Sequence, residues 1–354
     1  MSAIPVPVRG VRDDAAVIGL VGLAHGLSHY CQLLLAPLFP WLKDAFGVSY
    51  AQLGLLLTLF FVVSCGVQTL SGFLVDRHGP RPILFAGLAL LAAAAFGFAA
   101  STGWWMLAAF SVVAGVGNGV FHPVDYTLLN RKVHPARLGH AFSVHGITGS
   151  LGWALAPAML VPITMAFSWR VALAAAGALV LAVIAVLWLS RGQFALERAP
   201  IAHAAGAGAA TREDRFAFLA IPAVWMCFAF FLFFAVVLSG VQSFAPEAAR
   251  QLHGVPALAV PVLFGVMGLG AGVASPSRDL LVKRSSPDNA TGRVYGVVYS
   301  GLDIGQAVAP LLFGTLMDLQ RPALVWLGIA LVQGVLILSA FNVRKVRRTA
   351  LAAA

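Results

Sequence analysis

The chain has 354 residues, 60% of them hydrophobic and only 10% charged, with a formal net charge of +10 and a mean hydropathy of +0.89. Soluble domains carry about 25% charged residues, so there is too little polar surface here to coat a water-soluble globule. The positive charge is not a nucleic-acid footprint, because most Lys and Arg fall in alternate loops between apolar runs, the bias that orients membrane proteins.

Apolar runs of about 20 residues, long enough to cross a bilayer, recur along the whole chain. In order they predict spans at 16–40, 51–75, 83–100, 104–130, 138–163, 168–190, 216–245, 256–282, 293–317 and 322–342. The ~10-residue alternation of a membrane barrel is not seen. Helices are the spanning element, since lipid offers the backbone no hydrogen-bond partner. Arg9, Arg12, Asp13 and Asp14 precede a first run that continues too far for a cleavable signal and lacks a clear cleavage site. One set of loops holds Arg9 and Arg12, Arg77 and Arg81, Arg131, Lys132 and Arg137, Arg191 to Arg215, Lys283 to Arg293, and Arg344 to Arg348. The other holds little beyond Lys43, Arg170, Arg250 and Arg321. Both termini are therefore expected on the cytoplasmic side of an inner membrane. Cys31, Cys65 and Cys227 all lie in apolar runs without pairing or metal spacing, and read as buried free thiols.

Segment 191–215 is polar and rich in Ala and Gly, and reads as a cytoplasmic linker between two halves. The halves look related. Residues 109–160 slid by 153 positions onto 262–313 give 14 identities in 52, among them Gly115/Gly268, Gly119/Gly272, Pro123/Pro276, Gly152/Gly305 and Pro157/Pro310. Shared Gly and Pro mark helix packing and kinks, and repeats of several helices are typical of transporter folds. Gly47-Val48 instead matches Gly254-Val255 at an offset of 207, so 54 residues (207 − 153) lack a counterpart in the second half. The fold expected is an all-α polytopic membrane protein of two pseudo-repeated halves with about ten helices. A six-helix half (1–190) precedes the linker, and a four-helix half (216–354) lacks a helix pair near 260.

Ionisable groups inside a membrane are expensive and are functional candidates. His25, His29 and Gln32 share one face of the first span, and His122 and Asp125 lie one turn apart after a kink signal at Pro123. Asp303 and Gln306 sit one turn apart in the ninth span; His145 and Gln242 are weaker candidates. These residues are assigned to a substrate or proton pathway, with plain interhelical hydrogen bonding as the alternative. Asp125 and Asp279, close to Arg131, Arg278 and Lys283, also fit a gate of ion pairs. The string Gly115 to Gly119 reads as helix packing, since no strand precedes it and no GK[ST] follows. No HExxH, GxSxG, ATP-binding loop or redox centre is present, so neither an enzyme nor a cofactor or metal is expected.

The run Gly72-Phe-Leu-Val-Asp76-Arg77-His-Gly79-Pro-Arg81 resembles the signature loop of the major facilitator superfamily, joining the second and third helices on the cytoplasmic side. Gly117-Asn-Gly-Val-Phe-His122-Pro123 is similar to the fosmidomycin-resistance-like branch. The resemblance implies two helical halves rocking about a central cavity lined by the first, fourth, seventh and tenth helices. It also places Ser111 where the family carries an arginine linked with proton coupling, and the second signature loop is missing. The function implied is secondary active transport of a small organic molecule, proton-coupled and in the efflux direction. Organic-anion uptake, or a transport-inactive truncated paralogue, are the alternatives. Partners are then the substrate, protons and the lipid bilayer.

Overall fold

The computed structural model describes residues 10–196, 220–259, 262, 266 and 291–352. Among these there is no strand. Twelve α-helices follow one another: α1 (Val11–Gln32), α2 (Phe39–Phe46), α3 (Tyr50–His78), α4 (Pro80–Ala100), α5 (Trp104–Asn118), α6 (Phe121–Lys132), α7 (Leu138–Ala166), α8 (Trp169–Leu189), α9 (Pro222–Ser243), α10 (Ala245–His253), α11 (Thr291–Asp318) and α12 (Pro322–Ala352). Among the described residues eight segments are long and apolar enough to cross a membrane: α1 with α2, α3, α4, α5 with α6, α7, α8, α9 and α11. The apolar part of α12, Pro322–Leu338, is shorter. The predicted span 256–282 falls almost entirely outside the described residues, as does most of the linker 191–215.

Two predicted spans are interrupted. The first run ends α1 at Gln32 and resumes through a 3-10 turn, Ala36–Leu38, into α2. The run 104–130 breaks at Gly119–Val120 rather than kinking at Pro123. Pro123 sits in the first turn of α6, where its missing N–H leaves no hydrogen bond unmade. Gly47 after α2 and Gly254 after α10 close their helices with the same left-handed backbone, φ 61° and 64°.

In the amino-terminal half α1 packs on α7, α4 lies against α5 and α8, and α3 lies against α5. In the carboxy-terminal half α9 packs on α11 and α12, and α10 on α12. The two halves meet chiefly along α3 and α11. Thr58 Oγ1 donates to the Ala307 carbonyl at 2.5 Å, and a Cβ on Gly54 would collide with the carbonyl of Pro310. A Cβ on Gly314 would lie 2.7 Å from the Tyr50 carbonyl. Such small residues let membrane helices approach backbone to backbone.

At one end of this seam the start of α3 is capped from both halves. Ser49 Oγ accepts from Gln52 N, while Asp318 Oδ1 and Oδ2 accept from Tyr50 N and Ala51 N at 2.7 and 2.8 Å. All three amides of the first turn thus have acceptors, and two are charge-assisted.

Candidate functional site

Three helices of the amino-terminal half bring five ionisable side chains together. α1 carries His25 and His29, α6 carries His122 and Asp125, and α7 carries His145. Glycines on α1 and α7 make this possible. A Cβ on Gly26 would lie 2.8 Å from the Thr148 carbonyl, and one on Gly149 would lie 2.7 Å from His29 Nδ1.

Asp125 Oδ2 accepts from His25 Nδ1 and from His145 Nε2, both at 3.1 Å, and those two rings stack with centroids 3.5 Å apart. All three residues are buried, and Asp125 Oδ1 has no hydrogen-bond partner. The ion-pair gate expected for Asp125 is therefore not its arrangement. Its carboxylate turns inward to imidazoles on neighbouring helices, whereas Arg131 is exposed near the far end of α6 and Lys132 donates to the Gln193 carbonyl. Asp279, Arg278 and Lys283 lie outside the described residues.

A second line of hydrogen bonds crosses between the halves. His122 Nδ1 donates to Gln68 Oε1 at 2.7 Å, and Gln68 Nε2 donates to Asp303 Oδ2 at 3.2 Å. Cys65 also reaches Asp303. This thiol is only partly buried, unlike Cys31 and Cys227. A third line ties His29 down. Trp153 stacks on it at 4.4 Å and donates to Gln32 Oε1 at 2.9 Å. Gln32 donates to Asn118 at 3.3 Å, and Asn118 to Ser64 at 2.8 Å.

The structure thus gathers His25, His29, Gln32, His122, Asp125 and His145, and links Asp303 to them through Gln68. Gln306 is buried one turn beyond Asp303. Gln242 belongs elsewhere: its side chain is buried with Nε2 unpartnered, beside a 280 Å³ cavity lined by Trp41, Asp44, Glu247 and Arg250. Glu247 there accepts from Tyr50 Oη at 2.9 Å and from Arg250 at 2.6 and 2.7 Å. Burial pushes its carboxyl up, but these bonds and one from Gln251 outweigh that and hold it below the ordinary range. In the signature loop Gly79 adopts φ 82°, a conformation that favours glycine, between α3 and α4. Gly72 is partly buried, Arg77 and Arg81 are exposed, and the Asp76 side chain lies outside the described set.

Sequence reasoning missed Gln68, Asn118, Ser64 and Trp153. The signal was present, since Gln68, Ser64 and Asn118 are polar groups inside predicted apolar runs, the same criterion that singled out the histidines. Two triads bring potential ligand atoms within 4.8 Å of one another: His25, His29 and His122, and His25, Asp125 and His145.

The family model described as Major Facilitator Superfamily matches residues 21–269. The chain is 30% identical over 172 residues to the fosmidomycin resistance protein of Escherichia coli (strain K12), covering 44% of this chain and 40% of that protein. It is 25% identical over 171 residues to a probable sulfoacetate transporter of Cupriavidus necator, covering 48% and 39%. These matches span about two fifths of the relatives' length. Among solved structures, the peptide transporter POT in complex with sulfate superposes with a TM-score of 0.71 at 12% identity, covering 96% of this chain and 97% of that one. A bacterial homologue of the lysosomal transporter Spinster, inward-facing and unoccupied, gives 0.59 at 16% identity, covering 92% and 81%. At such identities the likeness is one of fold. The family match covers well over half the sequence and agrees with the helical architecture, so this chain belongs to the Major Facilitator Superfamily.

Proposed function

We propose that the chain is a secondary active transporter that exports a small organic molecule across the inner membrane by alternating access, driven by protons. The observation that carries this reading is the line from Asp303 through Gln68 to His122, which joins polar groups of both halves inside apolar spans. Intramembrane ionisable groups mark substrate and ion pathways. Asp303, with an amide and a thiol beside it among the described residues, is the group assigned to proton exchange. The halves are taken as 1–190 and 216–354 about the linker 191–215, with both termini cytoplasmic and a helix pair lacking near 260. Relatives named for fosmidomycin and multidrug resistance favour export. The basket of four imidazoles, able to meet an anion, favours uptake of an organic anion as the second reading, in line with the relative named as a probable sulfoacetate transporter.

The test is flux of fosmidomycin and of sulfoacetate in proteoliposomes under an imposed pH gradient. Three chains are compared: this one, Asp303→Asn, and a version with a helix pair restored after Val260. Flux that collapses with an uncoupler and in Asp303→Asn supports the proposal. Flux indifferent to the gradient overturns proton coupling, and flux only in the restored version overturns transport by this chain.

A further inference from the structure

We propose that His25, His29 and His122 form a binding site for a divalent transition-metal ion of the zinc, cobalt or nickel class. Their ligand atoms lie within 4.8 Å of one another. A tetrahedral ion bound to imidazole nitrogens at about 2.1 Å needs them about 3.4 Å apart, so side-chain adjustments of about 1 Å close the site.

The hydrogen bonds around the triad set it up for this chemistry. His25 donates through Nδ1 to Asp125, and His122 donates through Nδ1 to Gln68 Oε1. Both rings therefore keep their Nε2 lone pairs free, the tautomer an ion requires. A carboxylate or carbonyl behind a ligating histidine is the usual arrangement that fixes ring orientation and strengthens the ligand. His29 Nδ1 is buried and the Gly149 backbone approaches the ring, while Asp125 Oδ1 is buried without a partner. An ion beside His29 would use its Nδ1 lone pair and place positive charge near Asp125.

A Cβ built on Gly149 would lie 2.7 Å from His29 Nδ1 and 3.0 Å from His25 Nε2, so the missing side chain is what lets both rings bring these nitrogens side by side against α7. The other triad is a poorer ligand set, because Asp125 Oδ2 already accepts two hydrogen bonds. Three imidazoles suit borderline metals and not calcium or magnesium, which require oxygen donors. Three protein ligands also leave a position open for water or an anionic group of a substrate. His29 and His122 are only partly buried as residues, while His25 is buried.

The test is equilibrium binding, independent of any transport assay. The untagged full-length chain is purified in detergent, stripped with chelator and titrated with Zn²⁺ or Co²⁺ by calorimetry and visible absorption. One ion per chain is expected, with tetrahedral cobalt bands. His29→Ala is expected to weaken binding more than about 100-fold, and Asp125→Asn about 10- to 100-fold, while the exposed His253→Ala changes nothing. Unchanged affinity in His29→Ala, or no saturable binding, overturns the site. Should the variants fail to fold, X-ray absorption of the zinc-loaded native chain decides. Three imidazole nitrogens near 2.0–2.1 Å support the assignment, and an oxygen-only shell overturns it.

Discussion

Helices α3 and α7 hold opposite fortunes in the same bundle. α3 is joined along much of its length to α11, from the Asp318 cap at Tyr50, past Gly54 and Thr58, to Gln68 and Asp303. The 153-residue repeat makes α7 the counterpart of α11, so α7 should receive the counterpart of α3 in the second half. On the sequence offsets, we place that counterpart among the 54 residues without a match in the second half. Among the described residues α7 packs on α1 and α8 of its own half, and meets the opposite half at the short turn Ala257–Ala259 and at the cavity that Val161 shares with Gln242 and Glu247. Phe142, Ile147, Leu151 and Leu155 are left 38–61% exposed on its outer side. Among the described residues one side of the boundary is thus a seam of backbone contacts with a charged cap, and the other is an apolar face.

Parallel substitutions sharpen this contrast. Gly54→Leu drives a side chain into the Pro310 carbonyl, a backbone atom that cannot step aside. A loss of about 3 kcal/mol is expected, read as a lowered thermal midpoint in detergent, and an unchanged midpoint would mean the seam is not closely packed. Asp318→Asn keeps the shape but removes the charge from two hydrogen bonds to the start of α3. The expected cost is about 1–2 kcal/mol, with faster amide exchange at Tyr50 and Ala51 as the local readout. Gly146→Leu on α7 meets nothing within 4 Å. A change no larger than about 1 kcal/mol, toward greater stability, is expected from helix propensity. A large loss there would show that α7 has a partner and would break the comparison.

The spans were legible because length and apolarity alone define them: nine of the ten predicted runs coincide with described helices. The shared face of His25 and His29 was legible for the same reason, as it depends on one helix's period. Partners across helices were not. Asp125 lies near Arg131 in sequence yet meets His25 and His145, since the glycine contacts of α1 and α7 set which turns face each other. Gln68 gained its role only from the register of α3 against both α6 and α11. The break at Gly119–Val120 was hidden because an unbroken apolar run and a broken one have the same composition.

The cap on α3 has a consequence for how the protein is made. Two amides at the start of the second span find their acceptors in a residue 268 and 267 positions further along the chain. At about 5–20 residues per second, that carboxylate is synthesised on the order of tens of seconds after the amides it serves. Through that interval Ser49 alone caps the helix start, and a ribosome that stalls before Asp318 leaves the first amides of α3 without their carboxylate. Completion of the seam therefore reports that the penultimate helix has been made to its end.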